Sequence, residues 1–423
     1  MKPRKKKACR GTKICRWALI ILFLLKPALP VLRAEKTILT LDQAVQLALQ
    51  QNSDILLAQK EIVVAAGKTL QMRAVSDPSL VFRDEGLSAN KSGLAEGKEL
   101  SLGVEQNLEF PGKVSLRGRI GREGEEQAAL ELDRIRQLIK ARVKKAYYRT
   151  VLAERTIESL HESDALLDQF IKDLQVKYQA GAAAYVDILR AKVEKARLRN
   201  RIFEEEKEKK VGRAALNTLL GRRSDEPLRL ETDMAFIPLV KTLSEVKEES
   251  RTASPTLKVL ASKLRQAGLA LTLSRMNNLP DFSVGVYYPS LRTGAWGISL
   301  GISLPLWRAK RKGETIEAKA ANEMAVLSLE GEERRLEARI ESAFAAAKAA
   351  EEQVRVFETT LLKDMEDELA MGLSRYQFGK IEFFNLLDLY RTFATARLEH
   401  LSAVHLYLVS LADLEIAGEE QDN

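Results

Sequence analysis

The sequence predicts a mainly α-helical chain with a membrane β-barrel: a long α-helical barrel plus four β-strands per protomer, arranged as two internal repeats, with three protomers completing a trimeric 12-stranded barrel. Three observations predict it. The chain repeats itself at a fixed interval, two segments alternate apolar with small residues at strand period, and two stretches run free of helix breakers far longer than a compact domain needs.

The repeat comes first, because periodicity decides the frame for everything else. Lys177-Tyr178-Gln179-Ala180-Gly181 returns as Arg375-Tyr376-Gln377-Phe378-Gly379, 198 residues on, and Leu102-Gly103-Val104 returns as Leu300-Gly301-Ile302 at the same interval. Pro78 and Pro280, each opening a strand-like run, lie 202 apart, so the difference of 4 falls in the loop between strands. The interval is too long for a solenoid unit. Each half, 35–226 and 238–419, is therefore a large piece of one body.

Residues 1–34 read as a secretory signal. A basic stretch from Lys2 to Arg16 precedes the apolar run Trp17–Leu25, and a small-residue exit follows at Ala34. Nine apolar residues are too few to span a bilayer, which needs about 20. This segment holds ten Lys or Arg and no acid, so the remaining chain goes from +8 to −2, and the basic balance is no argument for nucleic acid. Both cysteines, Cys9 and Cys15, lie in it too, leaving no disulfide framework and no lipid-acceptor thiol.

Each half then reads helix, strand pair, very long helix, turn, helix. Thr40 is an N-cap candidate before apolar positions Leu41, Ala44, Val45, Ala48 and Leu49 at helical spacing. The second half opens similarly at Leu243-Ser244-Glu245-Val246, with Ser254-Pro255 where the first has Asn52-Ser53. The strand signal is strict alternation over Leu100–Phe110 and Trp296–Trp307, with hairpin neighbours Leu80–Arg83 and Phe282–Tyr288. In the second strand one face is Trp, Ile and Leu and the other mostly Gly and Ser, as for a strand between lipid and a lumen. Phe82, Phe110, Tyr287, Tyr288, Trp296 and Trp307 near the ends suggest an interfacial girdle.

No proline occurs between Pro111 and Pro227, nor from Leu306 to the C-terminus. Leu160, Leu167 and Leu174 recur at seven, a coiled-coil seam broken by Asp164. A helix from Lys113 to Tyr178 would be ~100 Å long, and a second of similar length is expected from about Lys310 to Tyr376. Four strands cannot close a barrel, since small barrels need about eight, and an open sheet in lipid leaves edge groups unpaired at several kcal/mol each. Several chains must contribute; three chains of four strands give twelve.

In these features the chain resembles the outer-membrane efflux protein family, the TolC type. The resemblance covers essentially all of the chain after the signal. It rests on the order and doubling of the elements and on two turns, Tyr178-Gln179-Ala180-Gly181 leading to Asp187-Ile188-Leu189 and Tyr376-Gln377-Phe378-Gly379 leading to Asn385-Leu386-Leu387-Asp388. Leu219-Leu220-Gly221 and Ile416-Ala417-Gly418 close the halves in the family manner, and Phe110-Pro111-Gly112-Lys113 is similar to the cation and heavy-metal efflux branch. The resemblance implies a homotrimeric tube in the outer membrane with a helical tunnel in the periplasm. Its partners would be a periplasmic membrane-fusion adaptor protein, an inner-membrane pump and outer-membrane lipid.

The resemblance also assigns residues. Tyr376, Asn385 and Asp388 fall at the periplasmic gate, where the family's founding members carry two acids; here the first has become Asn, so Asp388 alone would form a ring of carboxylates that attracts cations. Gly181, Ala182, Ala183, Ala184, Asp187 and Gly379 fall at the adaptor-contact tip, with Asp187 also suited to a helix N-terminus. A plain hairpin turn and a solvated helix charge are the blander readings of the two sets. His161, His400 and His405 do not share a helical face, and no phosphate loop, metal cluster or catalytic triad is legible, so no enzyme, cofactor or nucleic-acid role is expected. The reading is a passive exit duct of a tripartite efflux pump or type I secretion system, carrying metal cations or drugs. The alternative is a periplasmic coiled-coil structural or adaptor protein without a barrel.

Overall fold

In the computed structural model, residues 38–85, 99–288, 294 and 296–417 are described, and every element below belongs to the unit that begins at Leu39. The expected signal at 1–34, both cysteines and Gly418 lie outside the described residues. The elements run α1 (Leu41–Gln51), α2 (Ser53–Arg73), β1 (Ser79–Glu85), β2 (Glu99–Leu108), α3 (Lys113–Gln179) and α4 (Tyr185–Leu219). Then follow α5 (Leu243–Ala253), α6 (Pro255–Met276), β3 (Phe282–Tyr287), β4 (Gly297–Ile302), α7 (Arg308–Val356), a π-helical turn (Phe357–Leu361), α8 (Leu362–Gln377) and α9 (Phe383–Ile416).

The helix starts follow the caps. Thr40 caps α1 through a capping box with Gln43, and Thr242 does the same for α5 with Glu245. Asn52 and Ser254 cap the second helices, and Pro255 stands at the first position of α6, where its missing N–H costs nothing. Asn52 also donates from Nδ2 to the Leu219 carbonyl at 2.9 Å, so the start of α2 is fastened to the end of α4.

At 67 residues, α3 spans about 100 Å. It packs against α2 and α6 along its first part and against α4 and α9 along its later part. The heptad leucines do what the spacing predicts: Leu160, Leu167 and Leu174 are buried, as is Ile157. Asp164, which interrupts that seam, faces Lys195 and Arg199 of α4 at 3.7 Å each.

The second long helix departs from expectation. A single run to Tyr376 is predicted, but α7 stops at Val356 and the π turn intervenes before α8. The buried face supplies the reason. On the 3.5-residue seam of packed helices 14 residues make four turns, whereas buried Val354 and Leu369 are 15 apart. One wide turn takes up the extra residue and keeps both inward.

The four strands form one antiparallel sheet in the order β1-β2-β3-β4. Phe82 pairs Leu102, Val104 pairs Val286, and Val284 pairs Leu300, so the apolar residues of all four strands share one face. The alternating segment expected to be a strand over Trp296–Trp307 is a strand only over Gly297–Ile302. Its partner β3 begins at Phe282, just after Pro280, and beyond the ladder only Ser303 still pairs, donating its N–H to the Asp281 carbonyl at 2.8 Å. Beyond it, Pro305 offers no N–H.

Candidate functional site

Two ends of the molecule carry the features a site needs. At the sheet end, the apolar face is uncovered: Leu300 is 80% exposed, Ile298 75% and Leu80 73%, with Phe82, Leu102, Val104, Val286 and Ile302 alongside. A contiguous face of this kind marks contact with a membrane or another chain. Phe110 stacks on Phe282 at 6.5 Å at one end of the strands, and Tyr288 meets Trp296 at 5.8 Å at the other. Tyr287 does not join that girdle. Strand alternation turns it to the opposite face, over Gly103 and beside Gly297, where it is 5% exposed.

The junction between sheet and helices is held by a clamp that sequence reading missed. Lys113 is buried and its Nζ donates to Asp281 Oδ1 at 2.7 Å and to the Leu279 carbonyl at 3.3 Å. The same Asp281 oxygen accepts the Phe110 N–H at 2.7 Å. The Phe110-Pro111-Gly112-Lys113 motif thus ties the exit of β2 to the entry of β3. Arg117 adds a second tie, donating to Glu109 at 2.5 Å and to the carbonyls of Met72 and Ala74.

At the other end, the turns after α3 and α8 lie together. Gly181 (φ +75°) and Gly379 (φ +69°) take the left-handed conformation that ends each helix, and the N–H groups of Ala182 and Lys380 close back onto the carbonyls of Lys177 and Arg375 at 2.8 Å. Beneath the turns Phe170, Leu174, Ile188, Tyr376, Phe383 and Tyr390 form a core. Tyr376 is inside it, edge-on to Phe383 at 5.9 Å. Lys177 of α3 sits 3.7 Å from the Tyr376 ring centroid and donates to its carbonyl at 3.2 Å. Burial, with Asp187 and Asp173 nearby, pushes the Tyr376 phenol above its ordinary value.

Asn385 and Asp388 are exposed on the first turns of α9, and Asp388 makes no ion pair among the described residues. Gly181, Ala182, Ala184 and Gly379 are exposed, Ala183 packs half-buried against the tip core, and Asp187 stands in the first turn of α4, 3.3 Å from Arg190. The predicted residues are thus brought to one end of the hairpins, but Tyr376 packs inward while Asn385 and Asp388 face outward. Sequence reading also missed the links between the two hairpins: Arg391 donates to Glu194 at 2.5 and 2.9 Å, Arg397 to Glu162 at 2.5 Å, and the Tyr390 hydroxyl to the Ser163 carbonyl at 3.2 Å. Burial pushes the Tyr390 phenol up to about 12. These partners lie 197 to 235 residues apart, so no local spacing could reveal them.

Among the described residues no group of three His, Cys, Asp or Glu is placed to hold a metal, and no helix is long and apolar enough to cross a membrane. His400 and His405 are separately half-buried, and desolvation pushes both imidazoles below their ordinary value.

The exposed apolar β-face and the long helical hairpins are those of an outer-membrane protein whose helices stand in the periplasm. Residues 246–417 match the model of the outer membrane efflux protein family, which the chain resembles. It is 22% identical over 374 residues to the cobalt-zinc-cadmium resistance protein CzcC of Cupriavidus metallidurans, covering 86% of each chain. Among solved structures it is similar to CusC (TM-score 0.75, 17% identity, 89% of this chain and 91% of that one). It is also similar to the open state of the Neisseria gonorrhoeae MtrE outer membrane channel (0.75, 19%, 90% and 88%). The Vibrio cholerae outer membrane protein VceC gives 0.73 at 16% identity, with 89% and 96% covered. These neighbours share the fold of this chain at 16–19% identity.

Proposed function

We propose that the chain is one protomer of a homotrimeric exit duct, the outer-membrane component of a tripartite efflux pump or type I secretion system. It takes substrate from a periplasmic membrane-fusion adaptor and an inner-membrane pump and performs no chemistry of its own. The observation that carries this is the sheet. Its outer strands β1 and β4 each have one unpaired edge, and successive antiparallel pairing leaves them antiparallel to each other. The β4 edge of one copy therefore continues onto the β1 edge of the next in the same ladder pattern, and three copies make a twelve-stranded barrel without edges. The halves 35–226 and 238–419 act as two copies of one unit, doubling the helices in the tunnel wall.

The hairpin end is the periplasmic entrance. Asp388, with Asn385 beside it and Tyr376 behind, forms a ring of carboxylates that favours cations, and Gly181, Ala182, Ala183, Ala184, Asp187 and Gly379 meet the adaptor. Divalent metal cations are the cargo that the similarity to CzcC supports. The test is reconstitution. Protein extracted from outer membranes by detergent should have the mass of a trimer and conduct in planar bilayers, and Asp388→Asn should lower cation preference and divalent block. A freely soluble monomer without conductance would overturn the duct; unchanged selectivity in Asp388→Asn would remove the ring.

A further inference from the structure

The sheet face opposite the apolar one carries a side-chain cluster that the duct reading leaves unused. Tyr287 of β3 is its hub. The ring lies flat over Gly103, where a Cβ would meet its Cδ1 at 2.2 Å, so no larger residue fits beneath it. From β1, the Arg83 guanidinium stands 4.1 Å from the ring centroid. The Tyr287 hydroxyl faces Glu105 Oε2 of β2 at 3.4 Å and accepts from Ser299 Oγ of β4 at 3.3 Å. Arg83 Nη2 and Glu105 Oε2 are 3.9 Å apart. One phenol thus touches the other three strands and holds a cation and an anion beside each other.

We propose that Arg83 and Glu105, positioned by Tyr287, form a charge-compensated collar on the water-filled side of the barrel, and that Glu105 is the residue that keeps this segment from favouring anions. The proposal rests on the duct reading, which makes this face the lumen. Each copy contributes one Arg83–Glu105 pair at the level of Tyr287, with Glu85 following Arg83 on the same face of β1 two residues further along. Removing one partner leaves a ring of like charge, and such rings set the sign of ion preference. The effect falls off over about a Debye length, ~10 Å at 0.1 M salt, so it is read at low ionic strength.

The experiment is the reversal potential in a KCl gradient at low salt, with oligomers verified on semi-native gels. Glu105→Gln should raise the chloride-to-potassium permeability ratio about twofold, Arg83→Gln should lower it by a similar factor, and the double variant should return to the starting value. Equal ratios in all four channels would overturn the collar. Should Glu105→Gln fail to assemble, Ser101→Cys on the same face, with Cys9 and Cys15 replaced by Ser, can be labelled in the assembled channel. Anionic and cationic thiol reagents must then shift the ratio in opposite directions, and identical ratios again overturn the proposal. Labelling separates the two readings. If Ser101→Cys reacts with a water-soluble reagent and Leu300→Cys does not, the lumen is placed correctly and only the collar is at stake. The reverse pattern would sink the barrel orientation itself.

Discussion

The two ends of this molecule bury their apolar residues by opposite rules. At the hairpin end Leu167, Leu174, Leu386 and Tyr390 are almost wholly buried among their own neighbours, while Val176, Tyr185, Phe378 and Phe384 around them stand exposed. At the sheet end the equivalent apolar residues stand outward, while a tyrosine, an arginine and a glutamate occupy the other face. The hairpin end has an apolar core of its own within one chain. The sheet end has none, because its apolar face is uncovered; in the proposed duct that face meets lipid and the outer strands pair with further copies.

The largest effect should come from reversing the rule at the sheet. Leu300→Arg places a charge on the face proposed to meet lipid, at a cost of about 2–4 kcal/mol per copy near the midplane. Loss of the heat-modifiable oligomer and of outer-membrane fractionation is expected. Leu167→Ala, at the hairpin end, should cost about 2–5 kcal/mol of local stability through the cavity it leaves yet keep membrane assembly. Equal assembly in both variants would break the comparison.

The junction between the ends comes next. Lys113→Met keeps the volume but removes the partner of Asp281, which retains one N–H bond from Phe110. Because Lys113 is buried while Asp281 is partly open to water, the cost should fall near or below the ~3 kcal/mol floor for breaking a buried pair. The expected signature is a lower temperature of oligomer dissociation with unchanged conductance in the surviving channels.

Most of the architecture was legible in the sequence because its signals are local. Strand alternation, the cap at Thr40, and the leucine heptad in α3 are each fixed by neighbours a few residues away. What was not legible depends on distant partners. The length of β4 is set by where β3 begins, and the π turn by the phase of the face that α9 presents. The hidden side of Tyr287 follows from counting residues along β3, but its role depends on Gly103, Arg83, Glu105 and Ser299 on three other strands. The tip residues lie in turns that local glycines mark, whereas the ion pairs that fasten the hairpins join positions about 200 apart and leave no mark on local spacing.

Those ion pairs give a smaller prediction confined to the hairpin end. Arg391→Ala leaves Glu194 facing α9 without its guanidinium, and a half-buried pair of this kind contributes about 1 kcal/mol. Single-channel conductance should rise or flicker more as α9 loosens from α4, while oligomer melting at the sheet end stays put. A conductance trace identical to that of the unaltered channel would remove the hairpin link from any account of opening.

Acid offers the gentlest test, because it acts on the hairpins through their paired carboxylates. A hydrogen bond from Lys195 holds the Asp168 carboxyl below its ordinary value. A carboxylate with a lowered folded value stabilises the fold above the unfolded value, about 3.9 for Asp, and loses that contribution as pH falls through the folded value. Between neutral pH and about pH 4 the α3–α4 pairing should therefore be insensitive, and below it the protection of α4 amides near Lys195, taken relative to the intrinsic exchange rate at each pH, should fall. Asp168→Asn should show the lowered protection already at pH 7 and change less on acidification. If the unaltered protein and the variant instead respond to acid alike, the α3–α4 pair contributes nothing and the hairpin end is held by its apolar core alone.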